Sequence, residues 1–182
     1  MHPSHKGIHL LIINARLIDG TGAPPVVNRS VLIEDGVITQ IGDKIHVENV
    51  RIIDASGCTV IPGLIDAHVH LESVPGSFYR DDNDNELWRA RIHQLKAYLA
   101  CGVTTVLDNG ISSRQLREFN RYIKKGGMSP RILALGPLFY PSGGYGDAVK
   151  IPHWGPFRAS DTIKDIESLF DEYQEFDNII GV

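Results

Sequence analysis

Two histidines, His68 and His70, stand two positions apart at the end of the apolar run Leu64-Ile-Asp-Ala-His-Val-His70. Side chains of an extended strand alternate with a period of two, so both imidazoles face one side. Converging imidazoles suit a divalent metal such as zinc, and two of them supply part of the three or four protein ligands that a tight site needs. With eight histidines in 182 residues a bare pair is a weak signal, and its setting has to carry the argument. Asp66 precedes His68 by two, which predicts a carboxylate on the same strand face, placed to orient a ligand imidazole from behind. Asp108 closes a second β-branched run and reaches the same end of the sheet; substrate contact and helix capping are equal alternatives for it. In the glycine- and proline-rich stretch 136–156, Tyr145 and His153 are further candidates for the wall of a substrate pocket, against the plainer readings of a packed loop and a structural or surface histidine.

The elements that must position these residues come in two textures, which change near residue 62. Before it, short β-rich runs are separated by turns. His9–Ile13 continues through Ala15–Asp19; Ser30–Ile33 and Val37–Ile41 flank Asp35-Gly36, a strong hairpin signal. Arg51–Ala55 and Cys58–Ile61 flank Ser56-Gly57 and predict a second hairpin, so residues 1–62 read as part of a small antiparallel β-sandwich or barrel. From 63 to 182 strand and helix alternate. Leu64–His70, Val103–Asp108, Arg131–Leu135 and Asn178–Val182 are strands. Asn85–Ala100 is a helix with the stripe Trp88, Ile92, Leu95 and Leu99. A second helix, capped by Ser112 or Ser113, carries Leu116, Phe119 and Ile123. A third, capped by Ser160 or Asp161, carries Ile163, Ile166, Phe170 and Tyr173. Such a repeat implies parallel strands joined by right-handed crossovers, with the histidine pair at the carboxyl end of the first.

Composition narrows the function classes. Hydrophobic residues make up 42% and charged residues 22%, an ordinary globular mix. The formal net charge is -4 and no basic stripe appears, which argues against nucleic-acid binding. No apolar run reaches the ~18 residues of a membrane span, and the start lacks the pattern of a secretory signal. Cys58 and Cys101, far apart, read as buried thiols in a reducing compartment, and the setting is read as cytoplasmic. There is neither a phosphate-binding loop of the strand–GxxxxGK[ST]–helix type nor a nucleophile elbow.

Several segments in order resemble the metal-dependent amidohydrolase superfamily: Ile12-Ile-Asn-Ala-Arg-Leu-Ile-Asp-Gly20, Val31-Leu-Ile-Glu-Asp-Gly-Val-Ile-Thr-Gln-Ile-Gly42, Ile53-Asp-Ala-Ser-Gly57 through Pro62-Gly-Leu-Ile-Asp-Ala-His-Val-His70, and Gly102-Val-Thr-Thr-Val-Leu-Asp-Asn-Gly110. The loop from Gly136 to Asp147 resembles the branch of imidazolonepropionase-like enzymes and zinc dipeptidases, although Tyr145 stands where that branch often has histidine; hydantoinase- and dihydroorotase-like ring openers share the His-x-His strand. The resemblance implies an α/β fold: the N-terminal half of a (β/α)8 barrel, residues 63–182, plus part of a small β-sandwich, residues 1–62. It implies one or two divalent metals, usually zinc, with His68 and His70 as ligands, and hydrolysis of C–N bonds in small amides, cyclic amides or dipeptides by metal-activated water. A barrel of this kind typically takes about 250 residues. The further ligands and the catalytic aspartate are therefore expected beyond Val182, so the chain alone is expected to be inactive and to need a complementary C-terminal half or an oligomeric partner. The alternative is a non-catalytic, truncated paralogue whose half-barrel binds such a partner.

Overall fold

The computed structural model describes residues 9–73, 84–144, 157–159 and 162–181, the side chains of Asp84 and of residues 157–159 excepted. The chain divides into two compact units, Met1–Pro62 and Gly63–Val182.

In the first unit, β1 (His9–Leu17), β2 (Val26–Glu34) and β3 (Val37–Gly42) form an antiparallel meander. Asp35 and Gly36 turn it with φ of 52° and 80°, the left-handed pair that a two-residue hairpin requires and that glycine tolerates best. The second expected hairpin does not form. β4 (Arg51–Asp54) and β5 (Thr59–Val60) both pair in parallel with β1, β4 along its first half and β5 along its end. Ser56-Gly57 makes a local jog instead of a reversal: Cys58 N donates to Ala55 O at 2.9 Å, while Ala55 N and Arg16 N bond across to Ile13 O and Cys58 O, keeping the chain beside β1. The sheet is therefore mixed, not antiparallel, in the order β3-β2-β1-β4 with β5 also on β1. Leu11, Leu32 and Ile45 form its core cluster.

In the second unit, β6 (Leu64–Val69), β7 (Val103–Asp108), β8 (Arg131–Leu135) and β11 (Ile179–Gly181) make a four-stranded sheet in the order β11-β8-β7-β6, parallel throughout. Within this sheet the strands lie side by side in the order of the chain, the arrangement of a (β/α) barrel wall. Gly63 opens it at a close approach, since a Cβ there would lie 2.0 Å from Thr104 Oγ1 of β7.

The helices α1 (Asp84–Ala100), α2 (Ser113–Lys124) and α3 (Ile163–Tyr173) form the crossovers. Leu95 of α1 and Leu116 and Phe119 of α2 are fully buried against Val69, Val106 and Ile132, and Trp88 stacks tilted on Phe119 at 5.7 Å between centroids. Ser112 caps α2, its Oγ accepting from Gln115 N at 3.2 Å. The cap of α3 is Thr162, in a reciprocal capping box with Asp165, rather than Ser160 or Asp161, which lie outside the described residues. Its buried face is Leu169 and Tyr173; Ile163 is 75% exposed and Phe170 40%. Of the expected stripe Tyr173 is buried and Ile166 half-buried, Leu169 joins them, and Ile163 and Phe170 lie outside the packed face. The loop after β8 carries two short parallel strands not foreseen, β9 (Leu138–Tyr140) and β10 (Phe157–Ala159). Cys58 and Cys101 are both exposed, not buried. Each sits at a turn, before β5 and after α1, where the chain runs along the surface.

Candidate functional site

His68 lies near the carboxyl end of β6 and His70 one residue beyond it. Their ring centroids are 5.3 Å apart with the planes at 85°. Two side chains of the type that binds zinc through a ring nitrogen thus stand close together at one end of the sheet. Burial, and next to it the neighbouring His68, hold His70 below the ordinary histidine range. At neutral pH its ring is therefore uncharged and keeps the lone pair that coordination uses. In donor chemistry the two residues fit a divalent metal, as part of a site: among the described residues no group of three His, Cys, Asp or Glu side chains could hold an ion.

Asp66 Oδ1 accepts from the backbone N–H of His68 at 3.1 Å. The β6–β7 register slips between Asp66 and Val69, so strict two-residue alternation does not carry through this segment. The Asp66 carboxylate also lies near Tyr98 of α1, whose phenol is pushed up first by burial and then by Asp66. Asp108 is fully buried at the end of β7. Its Oδ2 accepts from Leu71 N at 2.8 Å and its Oδ1 from Gly110 N at 3.0 Å. Burial pushes its pKa up to about 7; the two amides pull the other way, and Glu72 adds to the rise. Tyr145 and His153 lie outside the described residues.

Three residues without a role in the sequence reading join the site. Glu72, 8% exposed, accepts from Ser112 N at 2.9 Å and Ser112 Oγ at 2.8 Å, which sets a carboxylate at the start of α2, where the helix dipole favours it. Arg91 of α1 donates to Glu72 O through Nε and one terminal nitrogen, at 3.3 and 3.1 Å. Asn109 donates from its backbone to Val69 O at 3.0 Å and from Nδ2 to Ala67 O at 3.4 Å. The one sequence signal for Glu72 is a carboxylate directly after an apolar residue at a strand's end. The sequence marks Ser112 as a helix cap, but nothing in the spacing pairs it with Glu72, or Asn109 with Ala67 and Val69, about forty positions away.

Residues 59–140 match the model of the amidohydrolase family. Among curated proteins, the chain is similar to a dihydroorotase of Syntrophotalea carbinolica, 46% identical over 73 residues, covering 40% of this chain and 17% of that protein. It is 37% identical over 99 residues to an allantoinase of Enterococcus faecalis, covering 54% of this chain and 19% of the other. Among solved structures, molinate hydrolase superposes with a TM-score of 0.72 at 27% identity, covering 93% of this chain and 43% of that one. A prolidase bound to N-methylphosphonate-L-proline shares the fold with a TM-score of 0.73 at 19% identity, covering 94% and 46%. The chain thus spans about a fifth of these curated relatives and less than half of these solved chains.

Proposed function

From a chain that carries an amidohydrolase family domain at residues 59–140, we propose that His68 and His70 supply two ligands of a divalent metal, zinc first, in an enzyme that hydrolyses C–N bonds of small amides. The observation that supports this reading is the proximity of the two rings, 5.3 Å between centroids, at the carboxyl end of the first strand of a parallel sheet. When bound, such a metal lowers the pKa of water from 15.7 toward about 7 and polarises a scissile carbonyl. The protein's part is to present two imidazoles, one of them kept neutral by burial, in fixed orientation. The remaining metal ligands and the group that accepts the water's proton come from residues other than those described. Cyclic amides are the first substrate class, supported by the dihydroorotase and allantoinase relatives, and dipeptides the second. The setting of the enzyme is cytoplasmic.

Ile65 and Leu64 of β6 and Ile180 of β11 are 70%, 49% and 57% exposed. A complementary barrel half, in the same or another chain, covers apolar residues of this kind in the working enzyme, and a purely binding role for the sheet is the second reading. The intact gene product, assayed on a cyclic ureide, a dihydropyrimidine and an Xaa-Pro dipeptide, is expected to hydrolyse at least one of them. His68→Ala and His70→Ala should each lower that turnover by 100-fold or more, on the order of a lost metal ligand. Turnover that survives both substitutions and exhaustive chelation contradicts the hydrolytic reading.

A further inference from the structure

Where the histidine pair sits, the ladder between β6 and β7 is irregular: the register slips between Asp66 and Val69. Strand pairing therefore skips residues 67 and 68 and resumes only at Val69, opposite Asp108. Three bonds from two consecutive residues of the neighbouring strand's end stand in for it. Asn109 Nδ2 donates to Ala67 O at 3.4 Å, Asn109 N donates to Val69 O at 3.0 Å, and Leu71 N donates to Asp108 Oδ2 at 2.8 Å. Positions 67, 69 and 71 are tied down, and the two positions between them, 68 and 70, bear the imidazoles.

The anchor is itself fixed. The second oxygen of Asp108 accepts from Gly110 N at 3.0 Å, and the side chain is fully buried. Burying a carboxylate is costly unless it is hydrogen-bonded. An asparagine at 108 would turn an NH2 toward one of the two donating amides, so only a carboxylate satisfies both. Past the clamp, Glu72 is bound to Ser112, which secures the chain leaving His70.

We propose that Asp108 and Asn109 are positioning residues for the metal centre, a clamp from the end of β7 that holds the backbone of residues 67–71 so that His68 and His70 converge. The proposal rests on the metal-centre reading above for its purpose, but its geometry is testable without metal. It moves Asp108 from the wall of a substrate pocket to the frame of the site.

The full chain is compared with Asp108→Asn, Asn109→Ala, His70→Ala and the packing control Leu116→Ala. In the metal-free chain, nuclear Overhauser contacts between the His68 and His70 rings report convergence directly. They are expected in the wild type and in folded Leu116→Ala, and to weaken or vanish in Asp108→Asn. Competitive zinc titration against a chromophoric chelator should show affinity falling about 10–100-fold in Asp108→Asn, the usual cost of losing a group that orients a ligand, and by at least about threefold in Asn109→Ala. Should Asp108→Asn not fold, Asn109→Ala carries the test, since it removes only the side-chain bond to Ala67. Unchanged ring contacts together with affinity within twofold of wild type, in whichever variant folds, would overturn the clamp. Zinc affinity unaffected by His70→Ala would instead overturn the metal reading and leave the ring contacts as the test of the clamp.

Discussion

At the scale of the residue, the site depends on groups whose charge and neighbours differ from what their spacing suggests. The His68–His70 pair is legible as two imidazoles at the end of one strand, and their rings lie 5.3 Å apart, although the register slip between Asp66 and Val69 breaks the alternation that predicts a shared face. The anchors are illegible because Asp108 meets Leu71 across 37 positions and Glu72 meets Ser112 across 40, and no local rule encodes such pairings. Asp108 also leaves a thermodynamic signature. Its folded pKa is raised from 3.8 to about 7, chiefly by burial, so between those values the folded state binds more protons than the unfolded state. Stability from this group is full below about pH 4 and is lost as pH rises through about 7, by an amount on the order of 4 kcal/mol. Urea unfolding between pH 4 and pH 8 is expected to show this loss in the wild type, and the difference between wild type and Asp108→Asn should change with pH by that amount. A difference that is flat across the range would mean that Asp108 is ionised throughout.

At the scale of the element, local signals give strands and helices well and their partners poorly. Val103–Asp108 and Arg131–Leu135 appear with the limits expected, since short apolar runs bounded by glycine or proline leave little choice. Asp35-Gly36 and Ser56-Gly57 look alike in sequence, yet only the first reverses the chain. What separates them is β1, long enough to accept both β4 and β5 along one edge. In α3 the apolar positions fit two faces, and packing chooses Leu169 and Tyr173, whose hydroxyl donates to Ile111 O at 2.7 Å. Thermal or urea unfolding should resolve the two faces: Leu169→Ala is expected to cost about 2–3 kcal/mol, and Ile163→Ala to stay within about 0.5 kcal/mol. Equal costs would restore the stripe that runs through Ile163.

At the scale of the whole molecule, the four parallel strands follow one another in sequence order and match part of larger hydrolases, with 93% of this chain covering 43% of molinate hydrolase. Their sequential order was what the resemblance to a barrel family implied, and their parallel sense was legible from the alternation of strand and helix. The mixed sheet of residues 1–62 was not, because parallel pairing to a distant strand has no turn to announce it. Among the described residues no helix is long and apolar enough to cross a membrane. The hydrolytic chemistry proposed for this molecule requires that the histidine pair hold a metal. X-ray absorption at the zinc edge of the intact protein loaded with one equivalent of zinc counts the imidazoles around the ion. The expected spectrum contains nitrogen scatterers at about 2.0–2.1 Å with the outer-shell pattern of at least two imidazoles, and that pattern loses one ring in His68→Ala and one in His70→Ala. A zinc environment that both substitutions leave unchanged would contradict the assignment.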